Sequence, residues 1–433
     1  MRGKLCGILL LVWAGSAAAA PDDSPHEVAL LARVKQRMRQ VLSQVPNYTC
    51  LETIERSVQG PRAKVFRPLD TVLLEISNLG DKELLSWPGG RRLEEADPSS
   101  FVSGGLMGNG VFALYARNVF LHDATTMQYR GDQDMAGRPV ARFEFRVPQA
   151  WSGYQIQANG ASAKVGMTGL FWIDPTSLEL VSMEIRADEI PAALGIARTA
   201  AVIDYARMHI GASDVLLPQA AELLLALLSG EVRRNEIQFS HCRAYVTESS
   251  IRFDMPDTPP SVPAPAVRKV DLPAGLTVPI ELETAIDSTT AHLGDLLRGR
   301  VVRDVRWKGK TIIIPKGAIV TGRIRGLDRL RSERAFDLTI ELAELEWDNT
   351  SAQFYGELLP RDSEREAAHI AHSIYMGEDP MPVPSPPAMP EAHAPQIPGT
   401  GVLHLTGTRF HIASGFRMNW RTLEPNQPLK QSK

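Results

Sequence analysis

Cysteine is scarce in this sequence, with three in 433 residues, and none of them forms a C-x-x-C pair. That spacing excludes the usual zinc-ribbon and dithiol redox motifs. Nucleophile elbows of the G-x-S-x-G type, H-E-x-x-H helices and dinucleotide-binding glycine fingerprints are absent too, which removes the common hydrolase, metalloprotease and nucleotide-dependent signatures. Positive charge is not in excess: 47 basic residues face 50 acidic ones, a net charge of -3. A chain without a basic field has no general attraction for nucleic acid. Beyond the N-terminus, no apolar run reaches the roughly 20 residues that a membrane-spanning helix needs.

The beginning of the chain points to a compartment. MRGKLCGILLLVWAGSAAAAPDD has a basic start, an apolar run from Leu5 to Trp13 and small residues ahead of Pro21, the layout of a secretory signal peptide. Cleavage is expected near Ala18–Ala20, with residues 1–20 as the leader and a periplasmic or secreted product without a transmembrane anchor. Loss of Cys6 leaves Cys50 and Cys242, and in an oxidising compartment these are expected to form a disulfide. The alternative is two unpaired buried thiols.

Residues 21–253 read as one helix followed by strands. Ser24, Pro25 and Glu27 compose a helix start, and Val28, Leu31, Val34, Met38, Val41, Leu42 and Val45 fall on one stripe at helical spacing. Lys35, Arg37 and Arg39 on the other side read as a solvated face, with contact to anionic lipid as the alternative. From Tyr48 to Phe253 the pattern is mainly β. ARFEFRVP places Phe143 and Phe145 on one face, and GLFWIDPTSLELVSMEIRAD, with Phe171 and Trp172, is a hairpin about Asp174–Ser177. Residues 132–137, DQDMAG, read as a hairpin tip, since Ala136 and Phe143 stand where a calcium loop needs ligands. Glu222–Leu228 reads as a strand despite its leucines, because Ser229-Gly230-Glu231 follows as a turn.

A proline-rich stretch, residues 254–271, reads as an extended linker. Short strands resume over 272–422, a small β-barrel or sandwich interrupted at about 361–400 by a Pro-rich, disordered insertion, with 423–433 as a tail. Within it, Pro315-Lys316-Gly317 predicts a tight hairpin turn beginning at Ile314. Leu403, Leu405, Phe410, Ile412, Phe416, Met418 and Trp420 are placed to rejoin the barrel after the insertion. The expected fold class is therefore mainly β with an N-terminal helix, an α+β curved antiparallel sheet followed by a small β-barrel or sandwich domain.

Side chains with chemical potential are few. Glu366, His369 and His372 share a helical face, with His393 nearby, but they border a low-complexity tract, whereas zinc requires three or four ordered ligands. Carboxylate groups such as Glu94, Glu95 and Asp97, or Asp188 and Glu189, read as solvated runs. No catalytic residue, metal site or cofactor is expected, and the chain reads as a non-enzyme.

Two resemblances add to this. LPAGLTVPIELETAID, GDLLRGRVVRDV and IIIPKGAIVTGRI, over about Leu272 to Leu327, resemble the C-terminal β-barrel module of the TrbI-like conjugation-scaffold family, here without that family's transmembrane helix. The N-terminal helix, VPNYTCLETIER and the GLFWIDPTSLELVSMEIRAD hairpin resemble the LolA/LolB-like lipoprotein-carrier fold. That second resemblance implies an incomplete barrel with an apolar concavity suited to acyl chains, and Val28, Leu31, Phe143, Phe145, Phe171 and Trp172 become candidates to line it, or else ordinary core residues. The functional expectation is an envelope protein that binds lipid or lipoprotein in its first domain and an envelope protein partner through its second. The alternatives are a purely structural or interaction protein and an envelope hydrolase.

Overall fold

Residues 25–80, 82–90, 101, 112–158, 161–245, 268–308, 311–330, 334–359 and 399–424 are described by the computed structural model. The leader, Ser24, the Glu94, Glu95 and Asp97 group, most of the proline-rich linker, the insertion with Glu366, His369, His372 and His393, and nearly all of the tail lie outside the described residues.

The apolar stripe forms helix α1, Pro25–Ser43. Val34, Met38, Val41 and Leu42 are buried on it, while Val28 in its first turn is exposed. Two of the three cations expected on a solvated face are instead engaged. Arg37 donates to Glu179 at 2.6 Å, and Arg39 to Asp123 at 2.5 Å and to the Phe120 carbonyl. A second helix, α2, Phe112–Leu121, was not anticipated in a stretch read as β. Its buried residues Tyr115, Ala116, Val119 and Phe120 recur at helical spacing.

Twelve strands follow α1: β1 Tyr48–Gln59, β2 Arg67–Leu79, β3 Lys82–Ser86, β4 Thr126–Met135, β5 Arg138–Val147, β6 Gln155–Ala158, β7 Ala161–Lys164, β8 Gly166–Ile173, β9 Leu180–Asp188, β10 Ile196–Ile210, β11 Ser213–Leu227 and β12 Val232–Ala244. Ten of them form one curved sheet in the order β3-β2-β1-β12-β11-β10-β9-β8-β5-β4, and β6-β7 is a separate hairpin. The chain starts in the middle of this sheet, runs out to β3, crosses through α2 to the far edge at β4, and winds back until β12 lies beside β1.

Alternation decides which side chains face the helices. In β1, Tyr48, Cys50, Glu52, Ile54 and Arg56 are buried, whereas Glu55 is exposed. Strand β11 does contain the leucine run, so cross-strand pairing with β10 and β12 outweighs the helix propensity of leucine. At Asp174 the carboxylate accepts from the Thr176 and Ser177 amides, which closes the β8-β9 turn. Gly169 in β8 has no room for a side chain, since a Cβ there would sit 1.9 Å from the Glu184 carbonyl.

The second half of the chain forms a second sheet and two ribbons from β13 Arg268–Val270, β14 Thr277–Leu282, β15 Ile286–Asp287, β16 Leu296–Val301, β17 Val305–Trp307, β18 Thr311–Ile314, β19 Ile319–Leu330, β20 Ala335–Trp347, β21 Thr350–Gln353, β22 Gly356–Leu358, β23 Thr400–Thr406, β24 His411–Ile412 and β25 Arg417–Thr422. Its main path is β13-β21-β20-β19-β16-β14-β25-β22, with β23 paired to the first half of β20; β15-β24 and β17-β18 are two-stranded ribbons. The seven apolar residues expected to rejoin after the insertion are all buried here, with Trp420 fully enclosed. Arg268–Val270, at the end of the stretch expected as linker, pairs in parallel with β21.

The Pro315-Lys316-Gly317 corner differs from the expected hairpin. β18 pairs with β17, whereas β19 pairs with β16 and β20, so the corner carries the chain from one sheet into another. The turn begins at Pro315, with the Ala318 amide donating to the Pro315 carbonyl and Gly317 at φ 89°. Glycine at that position is what a type II turn requires.

Each sheet has its own core, and they meet at β2. Leu293 exchanges backbone hydrogen bonds with Thr71 and Leu73 (2.9 and 2.8 Å). The guanidinium groups of Arg323 and Arg325 lie 5.6 and 4.9 Å from the Trp87 ring centroid. Gly294, at φ 97°, lets the chain pass beneath that ring. Among the described residues, no helix is long and apolar enough to cross a membrane.

Cys50 and Cys242 are joined, closing a sequence separation of 192 residues beside an irregularity in the β1-β12 register. The expected outcome of replacing both with alanine is a loss of about 3–5 kcal/mol in unfolding free energy, mostly through a freer unfolded chain. Urea unfolding of the two proteins measures it.

Candidate ligand-binding cleft

A small, largely apolar cleft, with about 20 Å³ of free space, opens between the two helices and the face of the first sheet that they cover. The end of α1 contributes Leu42 and, just beyond it, Val45; α2 contributes Ala116 and Arg117. Opposite them stand Leu216, Leu217 and Pro218 of β11, Tyr205 of β10 and Asn78 of β2. Pro218 is a cross-strand partner of Tyr205 next to a register shift in which β11 carries the extra residue, Gln219, a position where a strand tolerates proline. Arg117 also donates to the Leu42 carbonyl at 3.3 Å, tying α2 to the last turn of α1.

Behind this wall the core becomes polar. Register aligns Glu83 with Asn78 and Asn78 with Tyr48, so these three share one face across β3, β2 and β1, with Glu52 two pairs further along β1. Glu52 is 1% exposed. Burial pushes its carboxyl up to about 8. Burial, and then the neighbouring Glu52, raise Glu83 well above the usual carboxylate range. Tyr48 and Tyr205 are raised by burial and by Glu83. Tyr115 of α2 is raised by burial, Tyr154 and Glu83; its ring meets that of Tyr154 edge-on at 5.3 Å, and the Tyr154 hydroxyl donates to Thr199 Oγ1 at 3.0 Å. Among the described residues, Glu52 Oε1 and Glu83 Oε2 are enclosed without a hydrogen-bond partner.

Burial thus favours the uncharged form of each member of this group, carboxylic acids and phenol hydroxyls. Such groups donate to carbonyl or ether oxygens, and they do not attract ions. Neither carboxyl is on the cleft wall, so the pair is not presented to a substrate as an acid and a base would be.

Glu179 at the start of β9 is the opposite case. Burial would raise its carboxyl, but Arg207 and Arg37 outweigh that and hold it below its ordinary value. The bridge spans α1 and β10, with Arg207 donating to both carboxylate oxygens at 3.0 and 2.5 Å, and it fixes α1 over the sheet.

The six residues named from the sequence fall in several places. Phe143, Phe145 and Phe171 are brought together in the core, where Phe143 and Phe171 stack at 5.0 Å and Phe120 of α2 meets Phe171 edge-on at 5.0 Å. Leu31 is half-buried against the same core, and Val28 is 54% exposed. Trp172 points from the other face of β8 and donates through Nε1 to Gln133 at 3.1 Å. The cleft wall takes Leu42 and Val45 from the recognised helical stripe. Tyr205, Asn78, Leu216 and Leu217 were not singled out, though proline within the apolar run VLLPQ signals a bulged strand.

No family model matches the sequence, and no curated protein matches it. Among solved structures, the chain is similar to a DUF1329 family protein from Desulfovibrio piger, at 12% identity and a TM-score of 0.28, covering 52% of this chain and 95% of that one. It is also similar to a putative outer membrane lipoprotein-sorting protein domain from Vibrio parahaemolyticus, at 14% identity and a TM-score of 0.26, covering 51% and 93%. Neither supports the conjugation-scaffold resemblance of the second half.

Because the folded protein holds its proton on Glu52 up to about pH 8 while the unfolded chain releases it near 4.5, this carboxyl contributes stability below pH 4.5 that is lost as pH rises to 8. Glu52→Gln is expected to remove a slope of about 1.4 kcal/mol per pH unit from unfolding free energy over that range. Urea titrations at a series of pH values check it, and the variant should be the more stable protein at pH 9.

Proposed function

We propose that this chain is a non-enzymatic envelope protein that holds an apolar ligand, a lipid or the acyl chain of a lipoprotein, in the cleft between α1, α2 and the first sheet. The observation that carries this is the cleft itself, whose wall is built largely from Leu42, Val45, Ala116, Leu216, Leu217 and Pro218 with Tyr205 and Asn78 at its polar side. Ligand sites of this kind are concave, mostly apolar and furnished with a few placed polar groups, typically about 300–1,000 Å³. The free space of the cleft as folded, about 20 Å³, is far below that range, so the end of a chain would enter by parting α1 and α2 from the sheet. The signal-like N-terminus and the Cys50–Cys242 bond support an oxidising compartment. The second sheet would then act as an assembly or binding module, with residues 21–253 and 272–422 as the two working units. The sorting role in the name of the Vibrio domain belongs to that protein and carries no weight here at the TM-score found.

Native mass spectrometry of the protein purified from an envelope fraction, followed by lipid extraction, tests this. A stoichiometric acyl ligand is expected. Val45→Trp, at the rim of the cleft, is expected to weaken binding of a dansylated fatty acid by about tenfold by filling the mouth, with the melting temperature held. An apo mass together with unchanged probe binding in the variant would overturn the carrier reading in favour of a purely structural or interaction protein.

A further inference from the structure

The β17-β18 ribbon stands apart from both sheets in its exposure. Its root is fixed, since Val305 and Ile314 pair with each other and are buried in the second core. Its outer part is not: Arg306, Trp307, Lys308, Thr311 and Ile312 are all exposed, with Trp307 at 37% and Ile312 at 45%. Cross-strand partners share a face and successive residues alternate. Trp307 pairs with Thr311 and Ile312 with Arg306, so the two apolar side chains project from opposite faces of the ribbon.

We infer that this ribbon is a docking element for an anionic lipid surface. Charge complementarity is the first reason. Among the described residues of 303–316, Arg303, Arg306, Lys308 and Lys316 stand against a single acid, Asp304, in a chain whose net charge is -3. Geometry is the second. A folded protein partner covers one face of a ribbon, whereas an apolar residue on each face suits strands that enter a fluid apolar phase. Tryptophan is also the side chain best suited to the boundary between headgroups and hydrocarbon. The Lys308 ammonium lies 5.8 Å from the Trp307 ring centroid, so its stem follows the ring and its charge stays at headgroup level. The inference is independent of the cleft, which lies on the other sheet.

Flotation of the purified full chain with vesicles tests it, using phosphatidylglycerol mixed with phosphatidylcholine and, in parallel, phosphatidylcholine alone. Binding to the anionic vesicles only, falling with added salt, is expected. Lys308→Glu with Lys316→Glu should weaken it by at least about tenfold, since each basic side chain near such a surface contributes roughly fivefold. Trp307→Ala with Ile312→Ser should weaken it by about tenfold through lost apolar burial, with an unchanged melting temperature and circular dichroism spectrum showing that the fold is intact. Equal binding to both vesicle types, or anionic binding that survives loss of Trp307 and Ile312, would overturn the proposal. So would no binding to either, which would assign the ribbon to a protein partner.

Discussion

The pairing of β1 with β12 is the constraint on which the rest depends. It runs from Tyr48 opposite Ala244 to Gln59 opposite Val232, joining the first strand of the sheet to the last, and the Cys50–Cys242 bond fastens it at one end. Once those strands are neighbours, everything between them must form a sheet whose two edges, β3 and β4, face away from the seam. Helix α2 is the connection between those edges, and it is this crossing that covers one face of the sheet. The cleft exists because α1 and α2 meet there without filling the space above Tyr205 and Leu217.

The same seam explains the polar interior. Glu52 lies on the inward face of β1 because the strand alternates, and Tyr48 lies there for the same reason. Adding β2 and β3 brings Asn78 and Glu83 onto that face. A buried carboxyl without a partner is costly when charged, and these side chains relieve the cost by remaining protonated. They form a polar layer behind the cleft wall and do not line the cleft. Glu179, by contrast, stays ionised because two arginines reach it, and the resulting bridge keeps α1 in register above the sheet.

The second sheet is coupled to the first through β2, the strand that also supplies Asn78 to the cleft. Leu293 extends the hydrogen bonding of β2, and Trp87 is covered by Arg323 and Arg325. Stacking of a planar cation on an aromatic ring works at such a joint because it retains its attraction while the charge keeps some contact with water. The cleft and the β17-β18 ribbon therefore belong to two sheets joined by a defined contact.

Local patterns determined much of this by themselves. The stripe from Leu31 to Leu42 made α1, alternation made the strands, Asp174 made the β8-β9 turn, and two cysteines without closer partners made one bond. These follow from periodicity and turn chemistry, which act over a few residues. Tertiary structure decided what local pattern does not contain. Phe143, Phe145 and Phe171 became core because α2 carries Phe120 onto them, and the β18-β19 corner became a passage between sheets because β19 pairs with β16 and β20 rather than with β18. Glu52 and Glu83, separated by 31 positions and unremarked in the chain, became neighbours only through the register of three strands. Pairing across long separations depends on the whole set of competing partners, and no short stretch of sequence holds that information.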